Sequence, residues 1–260
     1  MNTIVLIHGA WLNGHSWSPW VERYSARGYR VLAPSWPLDD RPPADLRATP
    51  DPKLADVGVD EIVAHYEAII RDLPTRPYLV GHSFGGLFVQ KLLDRGLGAA
   101  GVAIHPAPPK GVLPSLDAVR AGWPVVSTWG FGGKIIPMAF ADFEWGWVHT
   151  LPEEDQREAY EHVVPTPGKI YSEGLSAPFT EKMAVNFAND TRAPLLIMAG
   201  GQDRTVSASM NRANYAKYAK SKAVTEFREY PDRTHWTIRA PGWEQVADDA
   251  LAWLEKVAPV

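Results

Sequence analysis

The sequence predicts an α/β protein: a mostly parallel central sheet flanked by helices on both faces, with a cap inserted late in the chain. Three observations lead there. Short apolar runs at 4–7, 29–33, 78–80, 101–104, 193–200 and 224–230 alternate with segments of helical periodicity. One of those runs passes straight through Gly81-His82-Ser83-Phe84-Gly85 into a helical pattern. Between residues 106 and 192 the alternation is lost, and Trp and Phe are scattered among Gly and Pro. The expected division is therefore a core of 1–105 and 193–260 with a cap at 106–192.

Residues 4–7 read as the first buried strand, closing into His8-Gly9-Ala10, where His8 is expected to hold the loop by hydrogen bonding. Ser18 followed by Pro19 marks a helix start. Trp17, Trp20, Val21 and Tyr24 supply its apolar face, and Gly28 ends it. After the strand at 29–33, the Pro- and Asp-rich stretch 34–52 reads as an irregular surface loop. Val59, Ile62, Val63, Tyr66, Ile69, Ile70 and Leu73 recur at helical spacing until Pro74 stops the helix. His65 beside that face reads as an ordinary helix residue.

The next strand carries the strongest signal. Tyr78, Leu79 and Val80 lead into G-x-S-x-G, and Leu87, Val89, Leu92 and Leu93 continue as a helix. Strand, G-x-S-x-G, helix is the context of a nucleophile elbow, a turn so tight that its serine is held at strained backbone angles with the hydroxyl exposed. Glycine at 81 and 85 removes the Cβ atoms that would collide there. A serine hydroxyl is a poor nucleophile at neutral pH, so it needs a base and a residue that orients the base.

In this arrangement the partners follow in the order Ser, acid, His. Only His235 of the eight histidines lies beyond residue 203. His8, His15 and His65 precede the serine, His105, His149 and His162 precede the best acid, and His82 points away from its neighbour Ser83. The acid is read as Asp203, because residues 193–201 form a buried strand ending in a glycine turn, and Asp203 then lies at the sheet edge that Ser83 occupies. Asp232 is the rival, but it shares a short loop with His235.

After the strand at 101–104, the segment to 192 shows one clear helix, 151–164, with capping-box spacing in Thr150-Leu151-Pro152-Glu153. The core resumes at 193. Ser207 is a plausible N-cap for the helix after Asp203, and the closing helix presents Trp243, Val246, Ala247, Ala250, Leu251, Leu254 and Val257 on one face. Trp11 and part of the cap aromatics are expected to line an apolar cleft.

Composition narrows the classes. The chain has 260 residues, 45% of them hydrophobic, enough for one large core and a cap. A net charge of −4 without a basic block points away from nucleic acid and anionic membranes. There is no cysteine, which removes disulfides and thiol chemistry. The first strand starts at the N-terminus and no apolar run spans a bilayer, so a cytoplasmic protein with a small-molecule partner is expected, compatible with a homodimer.

With these residues the chain resembles the α/β-hydrolase superfamily, and within it the small cofactor-free members such as plant methyl esterases and hydroxynitrile lyases. That group has an opening similar to Ile7-His8-Gly9-Ala10, followed by Gly14 and a Trp-rich helix start like His15-Ser16-Trp17. The resemblance implies an oxyanion hole made by the backbone N–H groups of Ala10 and Phe84, a catalytic triad of Ser83, Asp203 and His235, and no cofactor or metal. The expected activity is a serine esterase acting through an acyl-enzyme on a small, neutral, apolar or aromatic substrate. The alternatives are a C–C bond hydrolase or lyase using the same triad, and a ligand receptor that retains it. Hydroxynitrile lyases of this type usually carry Lys after the catalytic His and Thr after the oxyanion-loop residue, where this chain has Trp236 and Trp11.

Overall fold

The structure, a computed structural model, describes residues 2–176 and 179–259. In chain order come β1 (Thr3–Ile7), α1 (Ser18–Ser25), β2 (Arg30–Leu32), α2 (Pro43–Ala48), α3 (Val59–Arg71), β3 (Tyr78–His82), α4 (Phe84–Asp94) and β4 (Ala100–Ile104). The stretch that follows contains α5 (Leu116–Val126), β5 (Ile135–Ile136), α6 (Phe140–Phe143), α7 (Glu153–Tyr160), β6 (Thr166–Pro167) and α8 (Lys169–Leu175). The chain then completes β7 (Leu195–Gly200), α9 (Ala208–Lys217), β8 (Thr225–Tyr230) and α10 (Trp243–Val257).

Six strands form one sheet in the order β2-β1-β3-β4-β7-β8. Every pairing within it is parallel. β1, β3, β4 and β7 are buried along their whole length, which is why they read as unbroken apolar runs. One row across the sheet runs Leu6, Val80, Val102, Leu196, Glu226, so apolar side chains stack from strand to strand until the edge strand admits a charge. Trp20 and Tyr24 tie α1 to the other end of the chain through Ile238 O and Ala247 O, each at 2.7 Å.

Because the strands are parallel, His8, Ser83, His105, Asp203 and His235 all emerge from one carboxyl edge. From β1 the chain first adds β2 on one side and then β3 on the other, so the strand order reverses between β1 and β3. In open α/β sheets ligands bind at such a reversal, which here falls at the ends of the two strands that precede Ala10 and Ser83. Among the described residues, 106–192 add no strand to the sheet, and the two short strands β5 and β6 pair antiparallel with each other.

Three local expectations need correction. The 34–52 stretch is not surface irregularity: Trp36 and Asp39 are buried and α2 forms within it. The indole of Trp36 stacks on His8 at 4.7 Å between ring centroids, which draws the loop into the core. The Thr150 capping box does not form, because Pro152 takes the N-cap position and the helix, α7, runs only to Tyr160. The 106–192 segment also holds more regular structure than one helix, since α5, α6 and α8 form among its Gly and Pro residues. Among the described residues, no helix is long and apolar enough to cross a membrane.

Candidate active site

Ser83 lies between β3 and α4 with φ 56° and ψ −121°, a conformation an L-residue adopts only when its surroundings impose it. The surroundings do so at close range. A Cβ on Gly85 would lie 2.0 Å from the carbonyl oxygen of Ile7, so only glycine lets α4 start this near β1. On the other side, a Cβ on Gly9 would lie 2.6 Å from the Ser83 Cβ. The loop after β1 is thus pressed against the serine. No hydrogen bond from the Ala10 or Phe84 N–H to another group is present among the described residues.

His8 fixes that loop through a single tautomer. Its Nε2 accepts from the Trp36 N–H at 2.9 Å, so Nδ1 carries the proton and donates to Gly9 O at 2.9 Å. Burial pulls its pKa down to about 3, against the raising effect of the Gly9 bond, and the ring stays neutral. Trp11 follows with φ 58°, its indole N–H donating to Ile136 O at 3.1 Å and its ring 5.1 Å from that of Tyr171.

Asp203 sits on the turn after β7 and is buried. Its Oδ1 accepts from the Thr205 and Val206 N–H groups, each at 2.8 Å. Its Oδ2 is 2.6 Å from Nδ1 of His235 and 2.8 Å from Nδ1 of His105. Burial alone would raise the Asp203 pKa, but attraction to His235 and hydrogen bonds from His105 and His235 outweigh it, leaving the carboxyl far below its usual range. Asp232 is exposed.

His235 is fully buried. Its backbone carbonyl is 2.9 Å from Nε2 of His82, which ties the loop after β8 to the residue preceding Ser83. The His82 ring lies 4.6 Å from that of His235, and Trp147 meets His235 edge-on at 4.6 Å from the opposite chain segment. His82 is thus a hydrogen-bonded wall residue. The structure brings Ser83, the Ala10 loop, Asp203 and His235 to one place, but Ser83 Oγ and His235 Nε2 are not hydrogen-bonded, and Nε2 is buried without a partner. Such bonds commonly tighten only with substrate in place.

His105 is the residue sequence reasoning passed over. Order along the chain excluded it as the base, but order says nothing about which side chains share the acid. The available signal was its position immediately after the strand at 101–104, beside the strand that leads to Asp203. His105, Asp203 and His235 place ligand-capable atoms within 4.8 Å of one another. The nitrogen–oxygen separations are those of hydrogen bonds, so a metal would first have to displace the Nδ1 protons.

The sequence model of the alpha/beta hydrolase family matches residues 4–249. No curated protein matches the chain. Among solved structures the chain is similar to a monoacylglycerol lipase from Paleococcus ferrophilus, with 20% identity and a TM-score of 0.66 over 98% of this chain and 94% of that one. A methylesterase from Arabidopsis is similar at 14% identity and a TM-score of 0.69, over 98% of this chain and 100% of that one. An extracellular α/β-hydrolase from a Paenibacillus species gives 16% identity and a TM-score of 0.68 over 100% of both chains.

Proposed function

For a chain that belongs to the alpha/beta hydrolase family, we propose a serine esterase in which Ser83 is the nucleophile, His235 the base and Asp203 the residue that orients it. The observation that carries this reading is the strained Ser83 elbow at the same sheet edge as the 2.6 Å His235–Asp203 pair. Asp203 is an acceptor only, so His235 Nδ1 must hold a proton and Nε2 is left as the free base. His235 Nε2 takes the Ser83 proton as Oγ attacks the ester carbonyl. The Ala10 and Phe84 N–H groups receive the developing oxyanion, worth roughly 3–4 kcal/mol per donor. His235 then protonates the leaving alkoxide, and water activated by the same nitrogen releases the acid.

The aromatic surroundings support a neutral substrate. Trp11 and Phe84, each next to or at an oxyanion amide, meet the same Tyr171 ring at 5.1 and 5.4 Å. Trp147, Phe143 and Trp236 pack around the other side, near His235. We take residues 106–192, which supply Trp147 and Tyr171, as a cap over the site. The similar folds of an Arabidopsis methylesterase and a Paleococcus monoacylglycerol lipase agree with ester cleavage.

The test is labelling by a fluorophosphonate probe, located by mass spectrometry, with turnover of p-nitrophenyl butyrate measured in parallel. Native protein should be labelled on Ser83, and Ser83→Ala should lose both label and turnover while its unfolding transition stays within a few degrees. Turnover within about tenfold of native in folded Ser83→Ala would overturn the reading.

A further inference from the structure

His105 has no role in the reaction as drawn, yet it occupies one of the most constrained positions in the fold. It directly follows β4 with φ 46°, while its N–H donates to Met198 O at 2.8 Å. Its ring is fully buried. A Cβ on Gly200 would come within 2.4 Å of His105 Cε1, so the glycine at the end of β7 makes the space that the imidazole fills. These constraints aim Nδ1 at the same oxygen of Asp203 that serves His235.

A carboxylate accepts and never donates, so both imidazoles present Nδ1–H to Oδ2. Together with the two backbone donors on Oδ1, they supply four hydrogen bonds to one carboxylate. Two donors on one oxygen compete for the same electron density. The bond from His105 therefore does two things: it holds the carboxylate in place, and it reduces the negative charge Asp203 can offer to a proton arriving on His235.

We propose that His105 is a positioning residue that sets the acid limit of the hydrolase by sharing the Asp203 carboxylate with His235. The inference rests on the serine-esterase reading and deepens it. The groups that face His105 are Asp203 from the loop after β7, His235 and Arg233 from the loop after β8, and His82 from β3. Burial keeps His105 and His82 below the usual histidine range, so Asp203 meets a neutral N–H donor there and not a second cation. Removing that donor leaves the full carboxylate charge to His235. The proton is then held more tightly, and the base is freed only at higher pH.

The experiment compares His105→Leu and His105→Asn with native full-length protein, using p-nitrophenyl butyrate from about pH 5 to about pH 9. Asn keeps an N–H donor where the imidazole Nδ1–H stood, whereas Leu fills the space without one. His105→Leu should lose roughly tenfold in kcat/KM near pH 6, with its acid limb moved up by about one pH unit, and His105→Asn should restore most of both. The downfield proton NMR spectrum of native protein should show, beside the His8 and His82 N–H groups that bond to carbonyls, two imidazole N–H signals from the rings bonded to Asp203, one of which His105→Leu removes. An unchanged acid limb in His105→Leu, or an Asn variant no nearer native than Leu, would reduce His105 to packing. If His105→Leu does not fold, a native spectrum with only one such signal overturns the inference by itself. Ser83→Ala, assayed alongside, separates the two failures: activity there sinks the esterase reading, whereas its loss with a flat His105 response sinks only this inference.

Discussion

The carboxyl edge of the sheet and helix α5 of the inserted segment follow opposite rules. At the edge, Ser83 and His105 sit at positive φ, and Asp203 and both of its histidine partners are buried. Helix α5 buries only Val125. Its Leu116 is 89% exposed and Trp123 62%, and the two lie with Val119 along one side at spacings of three and four residues. The helix is held by a few points, including Ala118 against Val112, Val206 and Met210, and Arg120 stacked 3.9 Å over Trp145. Strain persists where neighbours over-determine a residue, and apolar surface stays exposed where little packs on it. The proposed chemistry therefore falls in the over-determined region, and the tolerance for sequence change should lie in the other.

The largest expected contrast is between two aspartates. Asp203→Asn removes the charge that fixes the His235 tautomer and should cost about 10⁴-fold in kcat, since that loss follows when a triad acid is neutralised. Asp232→Asn, on an exposed loop position, should stay within about threefold. A larger effect at Asp232 would mean that the 2.6 Å contact is structural and the acid has been misassigned.

Two glycines carry the contrast into stability. In Gly85→Ala the new methyl would meet the Ile7 carbonyl at 2.0 Å, a backbone atom that cannot swing aside. The expected loss is about 3 kcal/mol or more, read from the urea midpoint. Gly122, inside α5, faces open space, so Gly122→Ala should gain up to about 1 kcal/mol from helix propensity alone. Similar responses at both sites would erase the distinction between the regions.

How much of this was legible in the sequence follows the same line. Strands buried on both faces announce themselves, and G-x-S-x-G between a strand and a helix located Ser83, because tight turns admit few residue types. Asp203 could be placed by its strand end. The sharing of its carboxylate by His105 could not, since that depends on how β4 and β7 pair, which no local pattern states. Trp36 was missed for a related reason: Pro and Asp around it say surface, and its burial follows from the distant His8 and Phe88 rings that it meets. In the inserted segment, α5 carries apolar residues on the solvent side as well, so periodicity does not single out a buried face.

Acid should act mainly through the edge. His8, His82 and His105 are neutral in the folded protein, with pKa values below the ordinary one, chiefly through burial. As pH falls below about 6.5, the unfolded chain takes up protons at these positions and the folded chain does not. Stability is therefore complete above that pH and declines below it, down to about 3 in the case of His8. By pH 5 His8 alone should cost about 2 kcal/mol, and His82 and His105 add to the loss in the same direction. Asp203, also depressed, adds its own loss only below about pH 4. His162, lowered to about 4 in the inserted segment and only half-buried, contributes less. Urea midpoints at pH 7.5 and pH 5 that agree to within about 1 kcal/mol would show that protons enter the edge without unfolding it.

The smallest effect concerns what the inserted segment does for the substrate. Trp11, Tyr171 and Phe84 form one aromatic run beside the proposed oxyanion amides, and Trp147 closes the other side against His235. No cationic side chain is among these contacts, so an acyl group gains here by leaving water and not by pairing a charge. Each methylene it buries is worth about 0.8 kcal/mol, which is roughly fourfold in kcat/KM. Across acetyl, butyryl, hexanoyl and phenylacetyl esters of one leaving group, the rate should climb until the aromatic walls are covered, and a succinyl ester should fall below butyryl. Trp147→Ala ought to flatten that series, because it removes a wall at the edge, whereas Trp123→Ala on the exposed side of α5 should leave it unchanged. If Trp123 flattens the series and Trp147 does not, the acyl group lies along α5, and the division between a rigid chemical edge and a permissive outer helix has been drawn in the wrong place.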